Sequence, residues 1–357
     1  MSNLQAPKPA AKNEAESSIS LGEGQTPLLL SRHIGPSVGL SNLYFKLETV
    51  NPSGSYKDRF AAAAISLMLK EGKKRCLATS SGNTGSALAA YCAAAGMSCE
   101  IVILETTPNE KLKQMAAYGA KLFKVRGFGP QPDVTQRVFA RLQQMGNCGD
   151  CALQISAYCY SPGGMAGIET ISSELAAQLS SGIDHVCVPA GGGGLTLSIA
   201  RGFERLPSGF SRPRIHCVQP EGNDTIASAI RSGASKARSV TCTTKISGLQ
   251  VSNVLDGNEV IAACRKSGGN GYLVTDIAVW EMQRRMAREE GIFCEPAAAV
   301  ALAGALNAFA AGEIRADERV VCIVTGIGFK DLHAIDKITA NSQCPVLELS
   351  QFEEMLR

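Results

Sequence analysis

Three short stretches of the chain carry residue types that chemistry needs, and each stands at the head of a helix-like segment. The first is Asn51-Pro52-Ser53-Gly54-Ser55-Tyr56-Lys57-Asp58-Arg59, a turn-forming run that delivers Lys57 to the start of the apolar segment FAAAAISLML. A lysine enclosed in a packed site has its charged form disfavoured and becomes a usable nucleophile. Most lysines are solvated, so this run alone decides nothing. The second is Ser80-Ser81-Gly82-Asn83-Thr84-Gly85, ahead of an Ala-rich segment. Its glycines and small hydroxyl residues let the backbone approach a ligand, and the helix start offers free N–H groups to an anion such as a carboxylate. Ordinary helix capping explains each residue type singly, but not two serines, an asparagine and a threonine together. The third is Gly191-Gly192-Gly193-Gly194, between the strand-like HVCVPA and the helix-like LTLSIARGF. Four glycines in a row are costly in conformational entropy and add nothing to packing, whereas bare N–H groups at a helix start cradle a phosphate.

Neither the GxxxxGK[ST] nor the GxGxxG spacing is present around the tetraglycine run, which argues against a nucleotide P-loop and a dinucleotide fold. Together the three stretches supply a nucleophilic lysine, a carboxylate clamp and a phosphate cradle without a base-binding motif. A phosphorylated aldehyde cofactor acting on an amino acid needs that set. A non-catalytic binder of the same ligands and a nicotinamide enzyme are the competing readings, and the first makes no use of an activated lysine.

Strands and helices alternate around these loops. SNLYFKLE, the segment before SSGN, CEIVIL, AKLFKVRG, HVCVPA, RIHCVQP and RVVCIVTG read as strands. FAAAAISLMLKEG, TGSALAAYCAAAG, NEKLKQMAAYG, VTQRVFARLQQM, GMAGIETISSELAAQL, TLSIARGFERL, VWEMQRRMAREEG and AAAVALAGALNAFAAG read as helices. Such alternation with short Gly-containing links predicts an α/β fold with largely parallel sheets. A length of 357 residues suits two domains at about 150 residues each. One sheet is expected between about 61 and 149, the other between about 153 and 331, with the boundary in GNCGDC.

The net charge of +3 and the lack of a basic run give no footing for nucleic acid. No apolar stretch reaches membrane-spanning length, and the first residues lack the apolar core of a secretory signal, so a disordered tail and a cytoplasmic location are expected. The thirteen cysteines lie mostly in apolar segments and read as reduced packing residues. Cys148 and Cys151 form the one tight pair and lack the context of a redox or metal motif; they read as a loop near solvent. His33, His185, His216 and His333 show no paired spacing, and no metal site is expected.

At this point the residues resemble a known family, the threonine synthase branch of pyridoxal 5′-phosphate (PLP) enzymes with the tryptophan-synthase-β fold (fold type II). The likeness runs from Gly24-Gln25-Thr26-Pro27-Leu28 to Lys330-Asp331 and rests on GQTPL, NPSGSYKDR, SSGNTGSALAAY, AREEGIFCEPAAAVALAG and VTGIGFKD. It implies two three-layer α/β/α domains: a large PLP-binding domain from 21–60 and 153–340, and a small mobile domain over 61–152. A tail (1–20) and a C-terminal extension (341–357) flank them, the latter as a short strand and helix packed on the large domain. It implies that Lys57 holds PLP as a Schiff base and shuttles protons. Asn83 would bond the cofactor O3′, Gly191, Gly192, Gly193 and Gly194 its phosphate, and Thr325 its pyridine nitrogen. Ser80, Ser81, Thr84 and Ser156 would face the amino-acid substrate. Glu295-Pro296 would lie near the cofactor, although Glu-Pro is equally a helix start. The resemblance implies a lyase, converting O-phosphohomoserine and water to threonine and phosphate or performing a related elimination–replacement, and a homodimer. The family's phosphate-binding Arg and Asn have Gly164 and Gly192 in their places here. The alternative is therefore a serine/threonine dehydratase-like α,β-eliminase, or a β-replacement enzyme on an O-activated serine.

Overall fold

Ten strands, β1 (Leu28–Leu30), β2 (Leu43–Leu47), β3 (Arg75–Ala78), β4 (Ser98–Ile103), β5 (Lys121–Lys124), β6 (Cys151–Leu153), β7 (His185–Pro189), β8 (Arg214–Pro220), β9 (Gly271–Val274) and β10 (Val320–Val324), build two sheets in a computed structural model. The structure describes residues 18–210 and 212–355. The larger sheet has the order β1-β2-β10-β7-β8-β9 and the smaller β5-β4-β3-β6. Every pairing is parallel except β1 with β2. All strands of the smaller sheet lie, in sequence, between β2 and β7 of the larger.

Burial explains the strand compositions. A central parallel strand is covered on both faces and needs an unbroken apolar run. Val320–Val324 and His185–Pro189 are accordingly buried at every residue. The edge strand β5 reads KLFK and is mostly exposed, its lysines discouraging further pairing. Beneath the larger sheet, helix Pro296–Ala310 is buried for most of its length. Its small residues admit close approach: a side chain at Gly304 would meet the Val218 side chain at 2.5 Å.

The strands expected within the two sheets are all present, and β1, β6 and β9 are additional. At three or four residues each, β1, β6 and β9 are too short to show a period. The smaller sheet ends at Leu153, past the sheet end expected near 149 and one residue beyond the small domain expected over 61–152. NEKLKQMAAYG forms a 3-10 turn, Asn109–Leu112, followed by a short helix, Lys113–Ala117. GMAGIETISSELAAQL forms two helices, Pro162–Ile168 and Thr170–Gln178.

Both expected termini need correction. Residues 1–17 of the expected tail lie outside the described residues, but Ile19 donates its N–H to Ser66 Oγ and packs on the core. At the other end, helix Leu349–Met355 forms, yet residues 341–348 hold no strand and the helix is exposed throughout. Val346 is 99% exposed, and none of the apolar core clusters includes a described residue of this extension. Its apolar residues are spread over too few turns to make a burying face.

Candidate active site

Three adjacent parallel strands, β2, β10 and β7, end where the chemistry-bearing loops begin. Lys57 follows β2, Thr325 follows β10 and the tetraglycine run follows β7. Ligands in open α/β sheets bind outside the carboxyl ends of strands. The smaller sheet aims at the same place: Asn83 and Thr84 follow β3, and Ser156 follows its neighbour β6.

The lysine loop is held from inside. The Asp58 carboxylate accepts from the Ser53 N–H (3.0 Å), the Ser53 hydroxyl (2.8 Å) and the Ser55 N–H (3.4 Å). Gly54 turns the chain with φ +91°, where a side chain would be strained and would meet Ile327 at 2.8 Å. The loop is then stitched to the end of β10: Tyr56 N–H donates to Thr325 O (3.0 Å) and Ile327 N–H to Gly54 O (2.9 Å). On its other side the same segment receives Glu295, whose N–H donates to Gly326 O (2.9 Å).

Lys57 begins helix Lys57–Lys70, and its Nζ donates to Ser156 Oγ at 2.7 Å. Ser156 Oγ in turn lies 2.9 Å from Thr84 Oγ1. One hydroxyl chain thus joins the lysine to the helix start on the smaller sheet. Lys57 as a residue is half-buried, but its amino group lies deep. Burial lowers its pKa to about 7, against the pull of the Glu295 and Asp256 charges. The amine is therefore substantially neutral near neutral pH.

Glu295 is the residue the sequence reading undervalued. It is 6% exposed, and its carboxylate accepts from Asn83 Nδ2 (3.1 and 3.0 Å) and from the Thr325 hydroxyl (2.8 Å). Burial raises its pKa, while the Asn83 and Thr325 donors oppose the rise. Asn83 and Thr325 come from different sheets, so Glu295 ties them together. Asn83 keeps a second N–H and its carbonyl for a ligand. Gly326 must be glycine beside this group, because a side chain there would meet Glu295 Oε1 at 2.7 Å. A Glu-Pro helix start gave no hint of partners 30 and 212 residues away.

The tetraglycine run threads between apolar walls. A Cβ at Gly193 would meet Val260 at 2.7 Å, and one at Gly194 would meet Met165 at 2.8 Å. Gly193 has φ +93° and leads helix Gly194–Glu204, whose first turn has no side-chain cap. A backbone cradle of uncapped N–H groups at the start of an eleven-residue helix fits a phosphate group. Asp256 borders it, its carboxylate accepting from the N–H groups of Tyr158 (2.9 Å) and Cys159 (3.3 Å) and so fixing the loop after Ser156. Ser80 Oγ accepts from Gly82 N–H (3.3 Å), and Ser80 and Ser81 are half-buried at the turn before Asn83. Every residue singled out as a site candidate therefore lies on a loop or in the first turn of a helix beyond the strand ends.

Gly164 does not face this site. A side chain there would meet Phe60 at 2.6 Å and Ala64 at 3.0 Å, inside the contact with helix Lys57–Lys70. The lack of an arginine at this position therefore says nothing about a substrate phosphate. At Gly192 the adjacent space belongs to Leu255 (3.1 Å) and Val251 (3.4 Å).

Comparison with known proteins agrees with this geometry. The family described as pyridoxal-phosphate dependent enzyme matches residues 19–326. The chain belongs to that family. A threonine synthase of Bacillus sp. (strain ULM1) is 32% identical over 322 residues, covering 89% of this chain and 87% of the relative. A threonine synthase of Methanocaldococcus jannaschii is 33% identical over 320 residues, covering 88% and 76%. The fold is shared with threonine deaminase isoform 2 of Solanum lycopersicum (TM-score 0.74, 24% identity, 93% of this chain and 90% of that one). An L-serine ammonia-lyase of Rhizomucor miehei also shares it (TM-score 0.74, 20% identity, 89% and 98%). The protein is thus a PLP-dependent enzyme of the lyase class with the type II fold.

Other features stand apart from the site. His185 and His216, unpaired in sequence spacing, meet on adjacent strands with Nδ1 and Nε2 at 2.8 Å. Burial lowers both pKa values, that of His216 to about 3. Cys151 is buried as the first residue of β6, so only Cys148 occupies the exposed loop expected for both. Among the described residues no helix is long and apolar enough to cross a membrane.

Proposed function

We propose that the enzyme is threonine synthase-like, converting O-phosphohomoserine and water to threonine and phosphate. The observation that carries this reading is the likeness to threonine synthases across nearly the whole chain, 32% and 33% identical over more than 300 residues. When bound, PLP supplies an electron sink at the substrate α-carbon.

The chain's own residues have these roles in the proposal. Lys57 holds the cofactor between turnovers. As a free amine, about half of it neutral at pH 7, it takes the α-proton and returns one to a neighbouring carbon. Ser156, 2.7 Å from Lys57 Nζ, keeps that amine oriented, and Thr84 holds Ser156. Ser80, Ser81 and the helix start at Asn83 receive the substrate carboxylate. The N–H groups of Gly191–Gly194 hold the cofactor phosphate, and Asn83 and Thr325 meet the ring, positioned by Glu295. Residues 61–152 form a small domain that closes on the larger one and controls water at the reacting atoms.

A second reading is favoured by one observation. Leu255 and Val251 line the space at Gly192, which suits a substrate with no phosphate of its own. On that reading serine or threonine loses its β-hydroxyl and ends as a 2-oxo acid and ammonia. Incubating the holoenzyme with O-phosphohomoserine separates the two. Equal release of phosphate and threonine is the expected result. Inert O-phosphohomoserine alongside ammonia release from serine or threonine would discard the first reading for the second. The likeness also carries the expectation of a homodimer, which sedimentation of the holoenzyme tests.

A further inference from the structure

Cys76 on β3, Cys92 on helix Asn83–Ala94 and Cys99 on β4 bring their Sγ atoms within 4.8 Å of one another. All three are free thiols, 0%, 0% and 5% exposed as residues. Packing alone asks this core for small apolar side chains, as the helix itself supplies with Ala87, Ala89 and Ala90. It does not require sulfur from three separate elements to converge on one point. With metal–sulfur bonds of about 2.3 Å, three sulfurs around one ion sit no more than roughly 4 Å apart, and the three Sγ atoms here lie within 4.8 Å of one another.

Charge narrows the occupant. The cluster lies in an apolar core with Leu88 and Ile101, and the charge acting on Cys99 is that of Glu100, an anion. An uncompensated charge in such a place is strongly disfavoured. Three thiolates around a monovalent ion carry two negative charges and around a divalent ion one. Around a trivalent ion the complex is neutral. Tetrahedral zinc also calls for a fourth ligand, whereas three residues make up this group.

We propose that Cys76, Cys92 and Cys99 form a buried trithiol site for a trivalent thiophilic metalloid of the arsenic(III) type. Neutral arsenous acid enters, and three S–H and three As–O bonds break. Three As–S bonds form, and the thiol protons leave with the three hydroxide groups as three waters. Neither charge nor electrons change hands, so the step needs no co-reactant. The site lies under the substrate loop, since β3 leads to Ser80 and Ser81 and the helix bearing Cys92 starts at Asn83. It uses none of the cofactor-binding side chains and does not depend on which amino acid the enzyme takes.

The test adds arsenite to the holoenzyme, removes the excess by gel filtration, and measures arsenic per chain and its X-ray absorption. One arsenic per chain with a shell of three sulfurs and no oxygen is expected. Cys92→Ser and Cys99→Ala should each abolish that shell while keeping the visible cofactor band of the parent enzyme. Absence of arsenic, or a shell of two sulfurs and one oxygen, overturns the proposal. So does an unchanged three-sulfur shell in the variants. If the variants lose the cofactor band, wild-type peptide mapping decides: the peptides bearing Cys76, Cys92 and Cys99 must be the ones protected from alkylation by arsenite. Protection of other cysteines contradicts the site. Retention of copper(I) in place of arsenic(III) contradicts the trivalent assignment.

Discussion

Lys57 and Glu295 form the centre of the account at the residue scale. The folded-state pKa of Lys57, about 7, lies below the ordinary 10.5. Between those values the unfolded chain binds a proton that the folded chain does not, so in cofactor-free protein this group's contribution makes stability rise with pH through that window. The same shift governs reloading, because the aldehyde is attacked by the neutral amine. The rate of PLP uptake by the apoprotein should climb as pH rises through about 7 and level off above it; an inflection near 10 would show the amine to be unperturbed. Removing the Glu295 carboxylate strands the buried Thr325 hydroxyl and the half-buried Asn83 amide, at most roughly 1–3 kcal/mol each. Glu295→Ala should therefore weaken PLP retention by about tenfold to a hundredfold, read as cofactor loss on dialysis. Glu295→Gln keeps one accepting oxygen and should lose less. Equal retention in all three proteins would remove Glu295 from the site.

Helix Lys57–Lys70 is the element on which the lysine depends, and it is anchored by buried charge. Arg59 donates to Glu48 (2.7 and 2.8 Å) and to Glu174 (2.5 and 2.9 Å). Lys46 joins Glu174 at 2.7 Å and Thr26 O at 2.7 Å. This explains the GQTPL segment: the Gln25 N–H (2.8 Å) and Thr26 N–H (3.3 Å) donate to Glu174, and the Thr26 hydroxyl donates to Glu48 (2.7 Å). Arg59→Ala takes the paired cation from the buried Glu48 carboxylate, while Glu174 keeps Lys46, and should destabilise the fold by about 3–5 kcal/mol in urea unfolding. A change below about 1 kcal/mol would mean that the network contributes little. What was legible in the sequence follows the same physics. The loops are readable because glycine runs, a turn before a lysine and clustered hydroxyl residues are local signals. The partners are not: Glu295 meets Asn83, and Lys57 meets Ser156, only after two sheets converge. Ser156 could be placed by resemblance to a family, but no local feature distinguishes it. The strands β1, β6 and β9 were invisible because three or four residues cannot display a period.

At the scale of the molecule the two sheets share one buried apolar cluster, with Ile101 and Met115 on one side and Val186 and Val321 on the other, and specific polar bonds cross it. Gln114, beside the smaller sheet, donates to Ser53 O at 2.9 Å and accepts from Lys330 Nζ at 2.6 Å. Lys111 donates to Ser247 Oγ at 2.6 Å. These polar contacts at the rim of the site are exchangeable, which suits the proposed closure of residues 61–152 over a substrate. Everything else in the account hangs on one covalent link between chain and cofactor, and one measurement reaches it directly. Holoenzyme is reduced with borohydride, digested and mapped by mass spectrometry. The account predicts a phosphopyridoxyl group on Lys57, in the peptide containing Asn51-Pro52-Ser53-Gly54-Ser55-Tyr56-Lys57, and no label there in Lys57→Ala. A label on Lys46, Lys330 or any other lysine, or none on a protein that keeps its visible band, would contradict it.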